Sequence, residues 1–459
     1  MTLSVNQPGI RYDELANQIT GAVVLADDPD WDAVRQAWNL AIDQRPEAVV
    51  VPADAEDISS VVLFAQNNGL RVVPQGTGHL AAPLGELAGS ILLNTSSLNG
   101  VTVDPDDEVV RAGAGVTWGE VGSALAGTGL TALAGSSHDV GVVGYTLGGG
   151  YSWLAREYGL AASSVTAIEV VTADGQIRHV TAHANSELFW ALRGGGGNTA
   201  IVTAISFRVV RLAEVYAGML MYPLDRAAEI FTAYERWTRE LSDHATTCAR
   251  LLRLPPMPEL PDFLRGQSFV VVDGAINASD AEADALLTPL RDLNPSIDTF
   301  TRIPTDQLSL IHLDPPTPVP AVGEGMILDE LTTDAIDTLM QIAGPGIDSP
   351  LLLVDLRHLG GAVAHRDPNG GAIDHLPGRF LLYTVGIAPD PESASLVGQE
   401  VRKVIDGLSP WANEKDYSNF REVAANPKRF YSTGVLARLR AVKRAYDPAN
   451  VIRTSHELI

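Results

Sequence analysis

The sequence predicts an α+β fold built from two unlike parts and a closing C-terminal segment. Three observations carry this reading. The chain has 459 residues, more than one ordinary core organises. Short apolar strands punctuated by glycine turns fill the stretch from about 45 to 212, and beyond Arg211 longer helices and strands alternate as in an antiparallel sheet covered by helices. The expected divisions are 1–212, 213–410 and 411–459.

In order, Ala48 to Val51 reads as a strand, Ala55 to Asn68 as a helix with Ile58, Val61, Val62 and Ala65 at helical spacing, and Arg71 to Pro74 as a strand. Together they make a small βαβ unit. Strands follow at Ser90 to Asn94, Gly100 to Asp104 and Val109 to Gly113, then a helix at Trp118 to Leu125. Val165 to Thr172 and Ile177 to Thr181 form a hairpin around Ala173-Asp174-Gly175, and Ile201 to Val210 closes the first part. In the second part the elements are Leu224 to Leu241, Ser268 to Ile276, Asp280 to Leu293, Leu328 to Ile342, Leu351 to Leu359, Phe380 to Ile387 and Glu392 to Ile405. Leu254 to Pro261 and Pro315 to Pro320 are expected as proline-rich loops. Val435 to Tyr446 reads as a surface helix whose Arg438, Arg440, Lys443 and Arg444 complement its C-terminal dipole, stopped by Asp447-Pro448.

A formal charge of −24 argues against nucleic acid or an anionic membrane as partner, since both require a basic face. The lone Cys248 allows neither an intramolecular disulfide nor a thiolate metal cage, and no metal site is expected. The first residues lack a basic region followed by an apolar stretch, so the expectation is a cytoplasmic protein. Oligomeric state is not legible.

Two stretches point to chemistry. Val72-Val73-Pro74-Gln75-Gly76-Thr77-Gly78-His79 puts a histidine at the lip of a glycine turn after a strand, where a flat molecule can approach the backbone. Val140-Gly141-Val142-Val143-Gly144-Tyr145-Thr146-Leu147-Gly148-Gly149-Gly150 offers main-chain N–H groups of the kind that cradle a pyrophosphate. Gly76, Thr77, Gly78, Gly141, Gly144, Gly148 and Gly149 are the expected donors, with Gly194 to Gly197 as a further glycine loop. No Gly-x-Gly-x-x-Gly follows a first strand, which leaves a nicotinamide-binding Rossmann domain without support.

With Gly113-Ala114-Gly115, Tyr158-Gly159-Leu160 and Leu188-Phe189-Trp190-Ala191-Leu192-Arg193-Gly194, these stretches resemble the PCMH-type FAD-binding domain of the vanillyl-alcohol oxidase/p-cresol methylhydroxylase flavoproteins. The nearest branch in resemblance is the berberine bridge enzyme-like oxidoreductases, and Leu439 to Asn450 is similar to that branch's closing segment. The resemblance implies FAD held by the first part and the last fifty or so residues, with the second part roofing the ring and forming the substrate pocket. It implies cofactor contacts from Pro74, Gln75, Gly76, Thr77, Gly78, His79, Leu80, Pro83, Leu84, Ser136, Ser137, Val140, Gly141, Val143, Gly144, Gly148, Gly149, Leu160, Val202 and Asn450. In the family the histidine matching His79 is bonded to the flavin 8-methyl carbon. A second tether in the family is a cysteine, and Ser137 stands in its place here, so a single link through His79 is expected. His138 is read either as a polar group near the flavin edge or as a solvated loop histidine. The branch's Asp-Asn is replaced by Ser163-Ser164, and the aromatic often found at the Leu436 position is missing.

The group that takes the substrate's proton is sought in the second part. If Val354-Asp355-Leu356-Arg357-His358 is a strand, Asp355 and Arg357 share one face while Leu356 and His358 share the other. Asp355, Arg357 and His358 are the candidates, with His312, His365 and His375 behind them. The function expected is an FAD-dependent oxidase of a small alcohol, sugar, amine or natural-product intermediate, with oxygen or another acceptor reoxidising the flavin. Two alternatives stand beside it: a flavin dehydrogenase using a non-oxygen acceptor, and a flavin-binding protein that has lost catalysis.

Overall fold

The computed structural model describes residues 9–256, 258, 262 and 264–459. Its first sheet contains the predicted βαβ unit. Ala48–Val51, Ser90–Asn94 and Arg71–Gln75 run parallel, with Ala22–Val24 antiparallel at the edge. The Ala55–Asn67 helix starts where the Asp54 carboxylate accepts the Asp57 N–H, and it lays Ile58, Val61, Val62 and Ala65 on Val50, Val72 and Ile91.

A second sheet, in the order Val101–Asp104, Val109–Gly113, Ile201–Arg208, Val165–Val171, Ile177–Thr181, is antiparallel throughout. The Gly76–His79 turn leaves the end of the first sheet, and the 135–150 segment packs over the second. A larger antiparallel sheet takes up most of the remaining chain. Its order is Ile297–Asp298, Glu214–Pro223, Ser268–Ile276, Ala245–Arg253, Leu353–His358, Phe380–Ile387, Ala321–Leu328. Ala227–Thr238, Asp280–Arg291, Thr333–Ala343 and Pro391–Leu408 cover one face, burying Ala249, Leu251, Val270, Val272, Val354, Leu356 and Leu382 beneath them. The strand residues between those point the other way.

Three long strands escape the sequence reading: Glu214–Pro223, Ala245–Arg253 and Ala321–Leu328. Buried Arg250 and Glu324 break the apolar pattern of the second and third, whereas the first is an apolar run left unassigned. The single element read over Leu328 to Ile342 is a strand ending at Leu328 and a helix begun by the Thr332 cap. The Leu254 to Pro261 loop falls partly outside the described residues.

After the Thr433–Tyr446 helix, Val451 to Arg453 runs alongside Val72, whose N–H donates to Val451 O while its carbonyl accepts from Arg453. The chain's end thus becomes an extra edge to the strand that delivers the Gly76–His79 turn. The basic helix is not simply a surface helix. Lys443 is 1% exposed and paired with Asp447, and Arg438 reaches Glu187. Among the described residues, no helix is long and apolar enough to cross a membrane, and no group of three or more His, Cys, Asp or Glu could hold a metal ion.

Candidate active site

A cleft of about 420 Å³ lies between the glycine turns and the uncovered face of the large sheet. Pro74, Gln75, Gly76, Thr77, Gly78, His79, Leu80, Leu84, Ser136, Ser137, Val140, Gly141, Val143, Gly144, Gly148 and Val202 line it, as do Asp355 and Arg357. Pro83, Gly149, Leu160 and Asn450 do not line it. Gly149 and Leu160 pack behind the wall, and Asn450 turns the chain at φ 54° with its carbonyl accepting from Arg71. Of the glycine loop at 194–197, Gly196 and Gly197 reach the cleft.

One wall is built for an anionic group. Among the described residues, the N–H groups of Gly76, Thr77, Gly78, His79 and Leu80 find no protein acceptor, and neither do those of Asp139, Val140 and Gly141. Such runs of unpaired donors are stable only beside water or an anion. A Cβ added at Gly144 would meet no protein atom within 4 Å, so a side chain there would project into open space along this wall. Gln75 Oε1, Thr454 Oγ1 and His456 Nδ1, all on lining residues, are buried without partners. These features suit a large polar cofactor with a pyrophosphate and a flat ring, as FAD has.

His79 sits at the centre of this wall. Thr77 Oγ1 lies 2.8 Å from its Nδ1, Asp139 Oδ1 lies 3.5 Å from its Nε2, and the Trp38 indole stacks on the imidazole at 4.4 Å between centroids. Burial opposes ionisation of Asp139, but hydrogen bonding to His79, Ser137 and the Trp38 indole N–H prevails and holds the carboxyl down at about 2. Trp38 is out of reach of sequence reasoning, being 101 residues from Asp139.

The opposite wall is the strand face carrying Asp355 and Arg357, which share it as their spacing predicts. Arg357 Nε donates to Asp355 Oδ2 at 3.1 Å, and its guanidinium lies over the Phe420 ring at 4.9 Å. Behind them, His312 Nδ1 lies 2.8 Å from Asp273 and Arg250 pairs with the same carboxylate at 2.9 Å. Burial and Arg250 work against the His312 cation, yet Asp273 and Asp314 outweigh them and raise its pKa. His312, a secondary candidate by sequence, is therefore at the site, whereas His365 and His375 are not among the lining residues. His358 faces the helix-covered side against Phe380, and burial, helped by Arg156 and Arg379, drives its pKa to about 2. It does not line the cleft.

A pair the sequence did not disclose completes this wall. Tyr383, directly across from Asp355 in the sheet, donates to Glu422, whose other oxygen accepts the Gly323 N–H at 3.3 Å. A Cβ at Gly323 would stand 2.6 Å from the tyrosine oxygen, so glycine there makes room for the pair. Burial raises the Glu422 carboxyl, and burial together with Glu422 raises the Tyr383 phenol. The only signal in the sequence is Tyr383 at an alternating position of a predicted strand.

Nearby Glu324 is 5% exposed, and burial lifts its pKa to about 7 despite Arg421. The fold favours its protonated form, so this stabilisation is complete below the usual carboxyl range and is lost as pH climbs through about 7. The loss amounts to about 3 kcal/mol at most. Thermal unfolding compared between pH 5 and pH 8 is expected to show a steeper decline in the wild type than in Glu324→Gln; parallel curves would remove Glu324 as the cause.

The fold and site together define an FAD-dependent oxidoreductase with a PCMH-type FAD-binding fold. The pattern of the FAD binding domain matches residues 46–181, and that of berberine and berberine-like proteins matches 416–457. The chain thus carries an FAD binding domain and a berberine-like C-terminal segment, and its relatives include FAD-linked oxidoreductases. It is 25% identical to (R)-6-hydroxynicotine oxidase of Paenarthrobacter nicotinovorans over 462 residues, covering 96% of this chain and 97% of that enzyme. In fold it is similar to Physcomitrella patens BBE-like 1, with a TM-score of 0.86 at 18% identity over 98% of this chain and 99% of that one. A glucooligosaccharide oxidase from Acremonium strictum, described as carrying a 6-S-cysteinyl, 8α-N1-histidyl FAD, aligns with a TM-score of 0.81 at 21% identity over 97% and 98%.

Proposed function

We propose that the chain is an oxidase that holds FAD through a single covalent link at His79 and removes a hydride from a small organic substrate, an alcohol, sugar, amine or natural-product intermediate. The observation that carries this is the cleft itself, with unpaired main-chain donors and His79 on one wall and Asp355, Arg357 and the Tyr383–Glu422 pair on the other. FAD, when bound, supplies the two-electron acceptor. The N–H groups of Gly76–Leu80 and of Asp139–Gly141 would hold its pyrophosphate, and Ser137 leaves the cysteine tether without a counterpart.

The chain's own residues divide the remaining work. Arg357, fixed by Asp355 and stacked on Phe420, orients the substrate's polar atoms. As the substrate carbon loses hydride, its O–H or N–H proton passes to Tyr383 Oη while the phenol proton moves to Glu422, so neither phenolate nor alkoxide accumulates. Apolar Leu353 and Val385 flank the same face and keep water from the reacting carbon. His358, on the far side of the strand, has no part in these steps. Oxygen is the proposed final acceptor.

Acid precipitation tests the link. The wild-type pellet is expected to be yellow and the His79→Ala pellet white, with native His79→Ala still carrying dissociable FAD. A yellow His79→Ala pellet sinks the assignment. Anaerobic bleaching of the flavin by a member of an alcohol, sugar and amine panel, followed by peroxide release in air, is expected of an oxidase; bleaching without peroxide would identify a dehydrogenase.

A further inference from the structure

The surroundings of His79 go beyond what a tether needs. A histidine in a glycine turn could be held by packing alone, yet here both ring nitrogens face a polar side chain and the ring face is covered. Thr77 Oγ1 meets Nδ1 at 2.8 Å, Asp139 Oδ1 faces Nε2 at 3.5 Å, and the Trp38 indole lies nearly parallel to the imidazole at 20°. Asp139 is itself fixed from two further sides. Ser137 Oγ donates to Oδ1 at 2.7 Å, and the Trp38 indole N–H donates to Oδ2. Trp38 therefore both covers the ring and steadies the carboxylate that faces it.

We propose that Asp139 is the positioning residue for attachment of FAD to His79: it keeps the imidazole proton on Nε2, leaving Nδ1 as the nitrogen that bonds to the flavin 8-methyl carbon. The proposal rests on the covalent reading above. A neutral imidazole carries one N–H, and the nitrogen that faces a carboxylate holds it. The Thr77 hydroxyl then donates to the Nδ1 lone pair and marks its direction until carbon replaces it.

Charge supplies the second half of the argument. When Nδ1 bonds to carbon, the ring becomes cationic until the Nε2 proton leaves, and Asp139 stands at that nitrogen to balance the charge and guide the proton out. The atoms and electrons balance: one N–C bond forms, one methyl C–H bond breaks, and the two electrons left on the ring system are removed by dioxygen, which is reduced to hydrogen peroxide. The 136–141 segment, whose Ser137 stands where the family resemblance places a second anchoring thiol, is on this view rebuilt to serve the first anchor.

The test follows attachment rather than turnover. Wild type, His79→Ala, Asp139→Asn, Asp139→Glu and Trp38→Phe are purified with FAD, and each is assayed for total flavin in the native protein and for flavin retained after acid precipitation, over time in air. Asp139→Asn is expected to bind FAD at wild-type stoichiometry and to gain covalent flavin about a hundredfold more slowly. Asp139→Glu should recover part of the rate, a rescue that a purely structural role would not give. Trp38→Phe, which keeps the stacking but removes the donor, should be several-fold slower than wild type.

An Asp139→Asn pellet as yellow as wild type at the earliest time overturns the proposal alone. A white wild-type pellet overturns the covalent reading and the proposal with it. Should Asp139→Asn fail to fold, Ser137→Ala and Trp38→Phe each remove one donor to the carboxylate, and wild-type attachment rates in both overturn it.

Discussion

The Tyr383→Phe variant is expected to lower kcat/KM about a thousandfold while leaving FAD content unchanged. The phenol proton has a prepared destination, through its hydrogen bond to Glu422. Removing the oxygen leaves the substrate proton no acceptor there and leaves Glu422 with only the Gly323 N–H. The pH profile separates this from a packing defect. Burial raises the Glu422 carboxyl, and its ionised form is the one that accepts, so wild-type activity should fall as pH drops through that raised pKa. In Glu422→Gln the limb disappears and activity is low and flat. A Tyr383→Phe variant within twofold of wild type would move the proton acceptor to Asp355, whose Oδ1 is buried without a partner on the same wall.

What was legible in the sequence follows from how local each cause is. Gly76-Thr77-Gly78-His79 and Gly141, Gly144 and Gly148 sit in short stretches whose backbone demands show in composition, and they line the cleft's first wall, whereas Gly149 packs behind it. The spacing of Asp355 and Arg357 gave their common face because strand geometry alone decides it. Tyr383–Glu422 and Trp38–Asp139 depend on pairing between distant segments, which one sequence does not encode in any local pattern. The strands Ala245–Arg253 and Ala321–Leu328 were hidden for a related reason. Arg250 and Glu324 disguise them as polar stretches, and each buried group is tolerated because partners meet it: Asp273 pairs with Arg250, while Arg421 and the Gly325 and Val423 N–H groups face the Glu324 carboxyl.

The same logic predicts the largest stability effect, at the chain's end. Lys443 and Asp447 are each 1% exposed and 2.5 Å apart. Asp447 also accepts from Val451 N–H at 2.7 Å and Ile452 N–H at 2.9 Å, while Lys443 donates to Ile452 O at 2.9 Å. Together they set the segment that hydrogen-bonds to both sides of Val72, four residues before Gly76. Asp447→Ala strands a buried ammonium and two N–H groups, and should cost about 4 kcal/mol. The loss should appear first as faster hydrogen exchange at Val72 and Val451–Arg453, and then as weaker retention of dissociable FAD in a His79→Ala background. The double variant Lys443→Met, Asp447→Asn should regain much of the loss, because the expense lies in an unpaired buried charge and not in the absence of an ion pair. Equal destabilisation by the single and double variants would overturn the unpaired-charge explanation, and near-wild-type stability of Asp447→Ala would show that the segment is held by its main-chain pairing with Val72 instead.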